Sequence, residues 1–493
     1  MSNSGSQEPH PSVGDSAGQP AHPLDVRLRA AAELLEELET NPTLLASVTE
    51  SDRRRLMIAV QKAASPGVRE RRQFRKARQR HQKQQKLARD QAALNQSGIR
   101  QLRQKPVFTT PNALPPPTDE QADLPDPELR DVVEPQNCYI CKTDYSTLHP
   151  FYDQLCHRCA EFNFRKRSEI ADLKGRVALV TGGRVKIGYQ AVIKLLRCGA
   201  KVIVSTRFPR DAAKRFAAET DFDSWADRLQ IYGLDLRHTP SVEAFSRHLL
   251  STETRLDFIV NNACQTVRRP PGFYQHMMSL ETEGADTLTE GARKLLGGYE
   301  GLRRYRMLPE DSGGNAVAGA GLMAAAPGLV RSAELSQLPL LSSELEATPE
   351  LFPEGRLDQD LQQVDLRDQN SWRMTLTDVP SVELLEVQLV NAVAPFILNA
   401  RLKPLMLRTT SRDKHIVNVS AVEGQFYRKF KTTRHPHTNM AKAALNMMTR
   451  TSAADYHADG IHMNSVDTGW VTDEDPVQIA DRKRKEHRFH PPL

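Results

Sequence analysis

The sequence lacks the features of a secreted or membrane-spanning protein. Its first residues, MSNSGSQEPHPSV, are polar and include no apolar stretch like that of a secretory signal. The long uncharged run at 313–330 contains five glycines and a proline, which argues against a membrane span. Six cysteines in 493 residues are too few for a disulfide scaffold. We therefore expect a cytoplasmic protein, with the nucleus as the alternative, and no membrane contact.

The excess of positive over negative charge is confined to one segment. The net charge is +6, but residues 68–105 alone hold 13 Lys and Arg against two acidic residues, so the rest of the chain is net negative. This basic arm could neutralise the phosphates of a nucleic acid. Its single aromatic residue, Phe74, gives no indication of base stacking, and charge runs are more often solvated or protein-docking segments. Nucleic acid is therefore the less favoured partner, and we expect a homo-oligomer or a protein partner.

The length predicts two or three folded units. Residues 1–23 are rich in Ser, Gly, Pro and Gln and are expected to be disordered. A helical region at 24–105 includes the basic arm, a proline-rich linker covers 106–135, and a small module with four cysteines covers 136–168.

The remaining residues, 170–493, have the texture of an α/β domain. Apolar runs such as RVALV and KVIVS alternate with helical patterns, which predicts a Rossmann-like, doubly wound parallel sheet. Between about 281 and 369 this alternation lapses into Gly, Ala, Ser and acidic residues. We interpret that segment as an insertion that is largely at the surface or disordered.

The four cysteines of the small module have the spacing of a metal site. CYIC and CHRC place Cys138, Cys141, Cys156 and Cys159 as two CxxC pairs separated by fourteen residues. Two such turns can complete a tetrahedron of thiolates around Zn²⁺. Four sulfurs leave no open position for water, so the metal is expected to be structural. Two redox pairs, or free thiols, are the alternative interpretation.

A glycine-rich turn follows the first apolar run of the α/β domain. The sequence TGGRVKIG at 181–188 links RVALV to a helix that begins near Tyr189. A dinucleotide site needs such a turn, because the pyrophosphate must approach the backbone closely at a helix N-terminus.

This pattern resembles the short-chain dehydrogenase/reductase family over about 170–475, apart from the insertion. The family motif TGxxxG[IL]G is matched by TGGRVKIG, with Lys186 in the place of the middle glycine. Asp235-Leu236, NNA at 261–263, Asn391 and Lys442 then follow in the family's order. The resemblance implies cofactor contacts from Thr181, Gly182, Arg184, Lys186, Ile187, Gly188, Arg207, Asp235, Leu236, Asn262, Ala263 and Lys442.

The end of the second strand indicates which dinucleotide would bind. NAD(H) sites usually place a carboxylate there to accept a hydrogen bond from the ribose 2′-hydroxyl. The run KVIVSTR instead ends in Arg207, and Lys186 adds a second cation. Both could pair with a 2′-phosphate, so NADP(H) is expected in preference to NAD(H).

The catalytic pattern implied by the resemblance is incomplete. The family uses a tyrosine acid, a lysine that lowers the pKa of that tyrosine, an orienting serine and an asparagine that holds a relay water. Asn391 and Lys442 match, but Thr438 stands at the tyrosine position and Ala421 at the serine position. A threonine hydroxyl is too weak an acid to replace a phenol. Activity is therefore expected to be weak or absent.

Three substitutes for the missing groups can be considered. Tyr427 and Lys431 also spell YxxxK, although they lie in a basic loop. His435 or His437 could act as an acid near neutral pH. Ser420 could orient a carbonyl only if the strand end shifted by one residue, which would turn its side chain to the other face.

The sequence thus supports an NADP(H)-binding, short-chain dehydrogenase/reductase-like oxidoreductase that acts on a carbonyl or alcohol. The alternative is a non-catalytic scaffold or nucleic-acid adaptor that works through the basic arm and the cysteine module.

Overall fold

The computed structural model describes residues 23–105, 130–283, 287–305, 326–345, 349–428, 431–471, 474–487 and 491. The chain forms two compact units, residues 1–88 and residues 89–493. Most of the predicted disordered segment 1–23 and linker 106–135, and parts of the insertion, lie outside the described residues.

The first unit is helical. It contains α1 (Pro23–Thr40), a 3₁₀ turn (Pro42–Ser47), α2 (Glu50–Ala64) and most of α3 (Val68–Asn95). None of its described residues is buried, and apolar side chains such as Leu28 and Met57 are more than half exposed.

The second unit is built on a parallel sheet of six strands. The strands are β3 (Val177–Thr181), β4 (Lys201–Thr206), β5 (Leu229–Gly233), β6 (Phe258–Asn261), β7 (Lys414–Ser420) and β8 (Ile461–Asp467). Their order is β5-β4-β3-β6-β7-β8, and every pair is parallel. Because the order reverses between β3 and β6, a crevice opens there at the carboxyl ends of the strands. The predicted Rossmann-like sheet is confirmed.

Helices flank the sheet and close the core over its apolar runs. They are α6 (Lys186–Arg197), α7 (Pro209–Ala217), α8 (Thr239–Thr252), α9 (Pro271–Thr282), α10 (Glu290–Leu295), α11 (Gly297–Tyr305), α12 (Pro327–Val330), α13 (Ser332–Leu335), α14 (Ser342–Leu345), α15 (Ser381–Gln388), α16 (Ala394–Met406), α17 (Pro436–Ala458) and α18 (Val477–His487). All five residues of β3 are buried, as expected for a strand covered on both faces.

The helix formed by α15, a π-helical turn at Leu389–Val393 and α16 is long and apolar. Of the helices that the structure describes, this one could span a membrane by length and composition. Ala394, Leu398 and Leu402 of this helix are fully buried in the core beside the sheet. A core helix of this length can have the same apolar composition as a membrane-spanning helix.

Part of the insertion belongs to the main core. Leu288, Ala292, Leu295, Leu296 and Tyr299 are buried there, whereas most of the other described residues of the insertion are exposed or half-buried. These five residues recur at helical spacing across α10 and α11 and their flanks, so a few apolar side chains in a polar segment suffice to anchor it.

The cysteine module is a small folded body. Strand β1 (Arg130–Asn137) pairs antiparallel with β2 (Asp144–Leu148), and α5 (His157–Ser168) follows the second cysteine pair. Strand β1 thus begins at Arg130, inside the segment expected to be linker. The short helix α4 (Gly98–Gln104) binds this body, because the amides of Gly98 and Ile99 donate to the carbonyls of Pro150 and Phe151 at 2.9 Å.

Candidate functional site

One large cavity, of about 1020 Å³, lies at the carboxyl ends of the sheet strands. It is lined by the glycine turn, by the ends of β4 to β8, and by residues of α17. Eleven of its lining side chains are Lys or Arg and six are Asp or Glu, so the cavity favours an anionic ligand.

The glycine turn has the backbone that close approach to a ligand requires. Gly182 adopts φ +68°, and a Cβ there would lie 2.9 Å from the Cα of Ala263. A Cβ on Gly188 would lie 2.3 Å from both Asn262 Nδ2 and the Gly182 carbonyl oxygen. Lys186 adopts φ +55°, a left-handed conformation that favours glycine. The backbone conformation of Lys186 is therefore the one expected of a glycine, in agreement with its alignment to the family's middle glycine.

Side chains from two strand ends hold this turn. The Asn262 amide donates to the carbonyls of Thr181 and Gly182 at 3.1 and 3.2 Å, and the Thr181 hydroxyl accepts from the Ala263 amide at 3.0 Å. Helix α6 begins at Lys186, and its N-cap residue, Val185, supplies no side-chain acceptor to the first amides. The residues at this helix start line the cavity, where uncapped amides can bind an anion.

Arg207 stands at the end of β4 and lines the cavity. Its guanidinium donates to the Tyr274 hydroxyl at 2.6 Å and lies 4.7 Å from the centre of that ring. No described carboxylate lies within ion-pair distance of Arg207. Arg184 and Lys186 differ from it, since they pair with Asp211 at 2.7 Å and with Glu474 at 3.1 Å.

Asp235, one of the predicted cofactor contacts, belongs to a buried charge network. Its carboxylate pairs with Arg237 at 2.6 Å, and Arg237 also pairs with Glu386 at 2.8 Å. Burial opposes ionisation of Asp235, but the Arg237 guanidinium outweighs burial and lowers the pKa of this carboxyl. Arg268 pairs with the other oxygen of Glu386 at 2.7 Å. Asp235 and Leu236 line the cavity, and this network fixes the wall they form.

The residues expected at the catalytic end are only partly brought together. Lys442 lines the cavity, and its ammonium donates to the Val419 carbonyl at 2.8 Å. Ala421 also lines it. Asn391 does not line the cavity that the described residues form, since its amide group binds the main chain of Gln265 at 2.7 and 3.1 Å. Thr438 is buried beneath this surface, and its hydroxyl has no hydrogen-bond partner among the described residues.

Polar side chains at the start of α17 and just before it line the cavity near Thr438, which stands at the family's tyrosine position. His435, Asn439 and Lys442 lie at positions i, i+4 and i+7, and all three line the cavity. The His435 ring is stacked on Trp372, with centroids 4.0 Å apart and planes 6° apart. Burial lowers the pKa of His435, so this imidazole is neutral at neutral pH.

The other predicted substitutes are positioned away from the cavity or already bonded. Tyr427 is 94% exposed and faces solvent. His437 is buried against the Glu383 carboxylate at 3.2 Å. The Ser420 hydroxyl donates to the Lys442 carbonyl at 3.4 Å. Of the substitutes, only His435 combines burial with an acid–base group at the cavity surface.

The four cysteines of the module meet at one point. The sulfur atoms of Cys138, Cys141, Cys156 and Cys159 all lie within 4.8 Å of one another. Zn–S bonds of about 2.3 Å in a tetrahedron place sulfurs about 3.8 Å apart, which fits this cluster. A hydrogen bond with the Thr143 hydroxyl is the main cause that lowers the pKa of Cys141 to about 6, which favours the thiolate that a metal ligand requires.

Comparisons with known proteins identify relatives of the α/β domain. Residues 176–281 match the family model for short chain dehydrogenase, and residues 356–491 match that for enoyl-(acyl carrier protein) reductase. Uncharacterized protein R665 of Acanthamoeba polyphaga mimivirus is 28% identical over 367 residues, 72% of this chain and 68% of the relative.

Other similarities are more local. Dehydrogenase/reductase SDR family member 13 of Bos taurus is 35% identical over 105 residues, 20% of this chain and 28% of the relative. The chain therefore spans little more than a quarter of that relative's length. Among solved structures, the Pseudomonas aeruginosa RhlG/NADP active-site complex is 18% identical with a TM-score of 0.37, and the match covers 63% of this chain and 78% of that one.

Proposed function

Since the chain belongs to the short-chain dehydrogenase/reductase family, we propose that it binds NADP(H) and has at most weak hydride-transfer activity on a carbonyl or alcohol. The observation that carries the proposal is Arg207, which stands at the β4 end without a carboxylate partner.

The proposed preference for the 2′-phosphate follows from which of the three candidate cations are already paired with a carboxylate. Arg184 and Lys186 each pair with a carboxylate, Arg184 with Asp211, which also pairs with Arg215, and Lys186 with Glu474. The Arg207 guanidinium instead donates to the Tyr274 hydroxyl, and no described carboxylate lies within ion-pair distance of it. A phosphate dianion beside this guanidinium gains charge-assisted hydrogen bonds, whereas a ribose hydroxyl gains one weaker bond.

The residues around the glycine turn fit a dinucleotide. The turn, the uncapped start of α6 and the cavity together offer backbone amides to a pyrophosphate. Lys442 lies at the other end of the cavity, where it would bind the hydroxyls of the nicotinamide ribose. The bound dinucleotide would supply or accept the hydride.

Proton delivery is the weak step of this proposal. Ala421 has no hydroxyl to orient a carbonyl, and Thr438 is buried away from the cavity surface. His435 is the residue left to move a proton. As a neutral imidazole it can accept the proton of an alcohol, so oxidation is the direction it assists at neutral pH.

We also propose that the four cysteines bind one structural Zn²⁺. All four sulfurs would ligate the metal, which leaves no position for water, so the ion would hold the module and take no part in hydride transfer.

The test of dinucleotide preference compares NADPH and NADH on the full chain. Arg207→Ala should weaken NADPH binding by about tenfold or more and leave NADH binding nearly unchanged, because a charge-assisted hydrogen bond is worth about 1.5–3 kcal/mol. Arg247→Ala removes an exposed arginine of α8 and serves as the control. Equal losses for both dinucleotides would contradict the proposed role of Arg207.

The scaffold or nucleic-acid adaptor is the second candidate, because ten Lys and Arg between Arg69 and Arg89 of α3 are all exposed. A dinucleotide-independent affinity for RNA that falls steeply with salt would favour it. Replacing those cations by Gln should then abolish RNA binding while NADPH binding persists.

A further inference from the structure

The cysteine module forms part of the wall of the dinucleotide cavity. Tyr139 lies between the metal-binding candidates Cys138 and Cys141, and its side chain lines the cavity. Its hydroxyl accepts a hydrogen bond from the Trp470 amide at 3.1 Å. Trp470 follows β8 and also lines the cavity, so one tyrosine connects the first cysteine pair to the cavity rim.

The main chain of Tyr139 is fixed by the module itself. Its amide donates to the Gln154 carbonyl at 2.9 Å, and its carbonyl accepts from the Lys142 ammonium at 2.5 Å. The same ammonium lies 4.9 Å from the centre of the Tyr139 ring. The position of the hydroxyl therefore depends on the fold of the turn that carries Cys138 and Cys141.

A second connection runs through α4. Arg100 on this helix pairs with the buried Asp153 of the module at 2.6 Å. Arg103 donates to the Val471 carbonyl at 3.2 Å, next to Trp470. The Gln359 side-chain amide donates to the carbonyls of Arg103 and Lys105, with the latter bond at 3.0 Å. The module and α4 thus hold two segments at the cavity rim, residues 470–471 and the loop around Gln359.

Glu474, three residues after Val471 in the sequence, contacts a residue of the glycine turn. It pairs with Lys186 at 3.1 Å, and its carbonyl accepts from the Asn370 side chain at 2.8 Å. The rim residues held by the module are therefore close in sequence to the partner of Lys186 at the start of α6, where the pyrophosphate is expected.

We propose that Tyr139 is a positioning residue that couples metal occupancy of the cysteine module to dinucleotide affinity. The proposal rests on the proposed NADP(H) and zinc binding. A CxxC turn without its metal loses the constraint that fixes its geometry, so Tyr139 and the 470–471 segment would be released and the cavity would lose that wall. Coupling between two binding sites is reciprocal, so bound NADPH would in turn raise the affinity of the cysteine module for its metal.

The first measurement is NADPH affinity in three variants of the full chain, each with its zinc content determined. Tyr139→Phe removes one hydrogen bond and should raise the dissociation constant about 2- to 10-fold. Tyr139→Ala removes the wall as well and should raise it further. Ile140→Ala alters an exposed side chain of the same turn and should leave the affinity unchanged.

The second measurement is the rate of zinc transfer to a chromogenic chelator. Saturating NADPH should slow this transfer in the wild-type chain and should have no effect in Tyr139→Ala. If Tyr139 only stabilised the module, Tyr139→Ala would lower the zinc content, but NADPH would not affect the rate of zinc transfer in the wild-type chain.

The failures of the two proposals are distinguishable. A wild-type chain that binds no NADPH overturns the proposed function. If the wild-type chain binds both NADPH and zinc, an unchanged NADPH affinity in zinc-loaded Tyr139→Ala overturns the coupling. A zinc transfer rate that is the same with and without NADPH overturns it equally.

Discussion

Gly188→Ala should abolish tight dinucleotide binding, because the added methyl group has no room. Its Cβ would lie 2.3 Å from Asn262 Nδ2 and from the Gly182 carbonyl oxygen, well inside van der Waals contact. Asn262 could rotate away, but it would then lose its hydrogen bonds to the Thr181 and Gly182 carbonyls. The Gly182 oxygen is main chain, so relieving that contact must move the turn itself.

The magnitude follows from these contacts. Overpacking at a rigid position costs about 1–3 kcal/mol of stability. A turn displaced far enough to relieve the overlap moves the amides that would bind the pyrophosphate, and we expect NADPH affinity to fall at least tenfold, or about 1.4 kcal/mol.

The assay combines thermal unfolding with NADPH titration, and Gly301→Ala is the matched control. Gly301 lies in α11 and has nothing within 4 Å of an added Cβ, so alanine should be neutral or stabilising there by about 0.4–1 kcal/mol. If folded Gly188→Ala bound NADPH as tightly as the wild-type chain, the glycine turn would not be the pyrophosphate site.

Further predictions concern catalysis, metal and stability. The double variant Thr438→Tyr with Ala421→Ser restores the family's acid and orienting hydroxyl. It should raise the rate of carbonyl reduction by about 10²–10⁴-fold, the usual contribution of a general acid. Unchanged activity with intact NADPH binding would contradict the view that only these two groups are missing. Alcohol oxidation should fall in acid with an apparent pKa below that of ordinary histidine, since burial lowers the pKa of His435, and His435→Gln should remove that inflection in the pH–rate profile. Cys138→Ser should lower the zinc content from about one ion per chain by metal analysis. Asp257→Ala should cost about 1.5–3 kcal/mol in denaturant unfolding, because the part-exposed Arg176 and Arg255 lose their shared carboxylate and the buried Val177 amide loses its acceptor; a cost below about 0.5 kcal/mol would refute this.

The sheet and the glycine turn could be predicted because their signals are local. Four consecutive apolar residues, VALV, followed by TGGRVKIG specify a buried strand, a tight turn and a helix within a short stretch of chain. Lys186 replaces a glycine of the family motif, and the motif itself was enough to align it, since Lys186 adopts the left-handed backbone that a glycine would take.

The insertion shows where composition misleads. Glycine, alanine and acidic residues are frequent in it, yet Leu288, Leu295 and Tyr299 pack into the main core. Their helical spacing is visible in the sequence and was the available signal. The average composition of the whole segment hides this spacing. A helix can anchor in the core with only one apolar face, so its other residues can all be polar.

The surroundings of the cavity could not be predicted, because they depend on contacts between distant residues. The sequence offered His435 and His437 equally as possible acids, but only the His435 ring is stacked on Trp372, 63 positions earlier in the chain, and buried at the cavity. Tyr139 and Trp470 are separated by 331 positions. No motif or periodicity links such pairs, and only the folded chain brings them to one surface.

The central claim is that the cavity accepts a 2′-phosphorylated nicotinamide nucleotide although its proton-delivery groups are incomplete. Isothermal titration of the wild-type chain with NADPH and with NADH, at the same ionic strength, tests it most directly. The account predicts saturable binding of one NADPH per chain with a dissociation constant at least tenfold below that of NADH. No heat of binding at millimolar NADPH, or tighter binding of NADH, would contradict it.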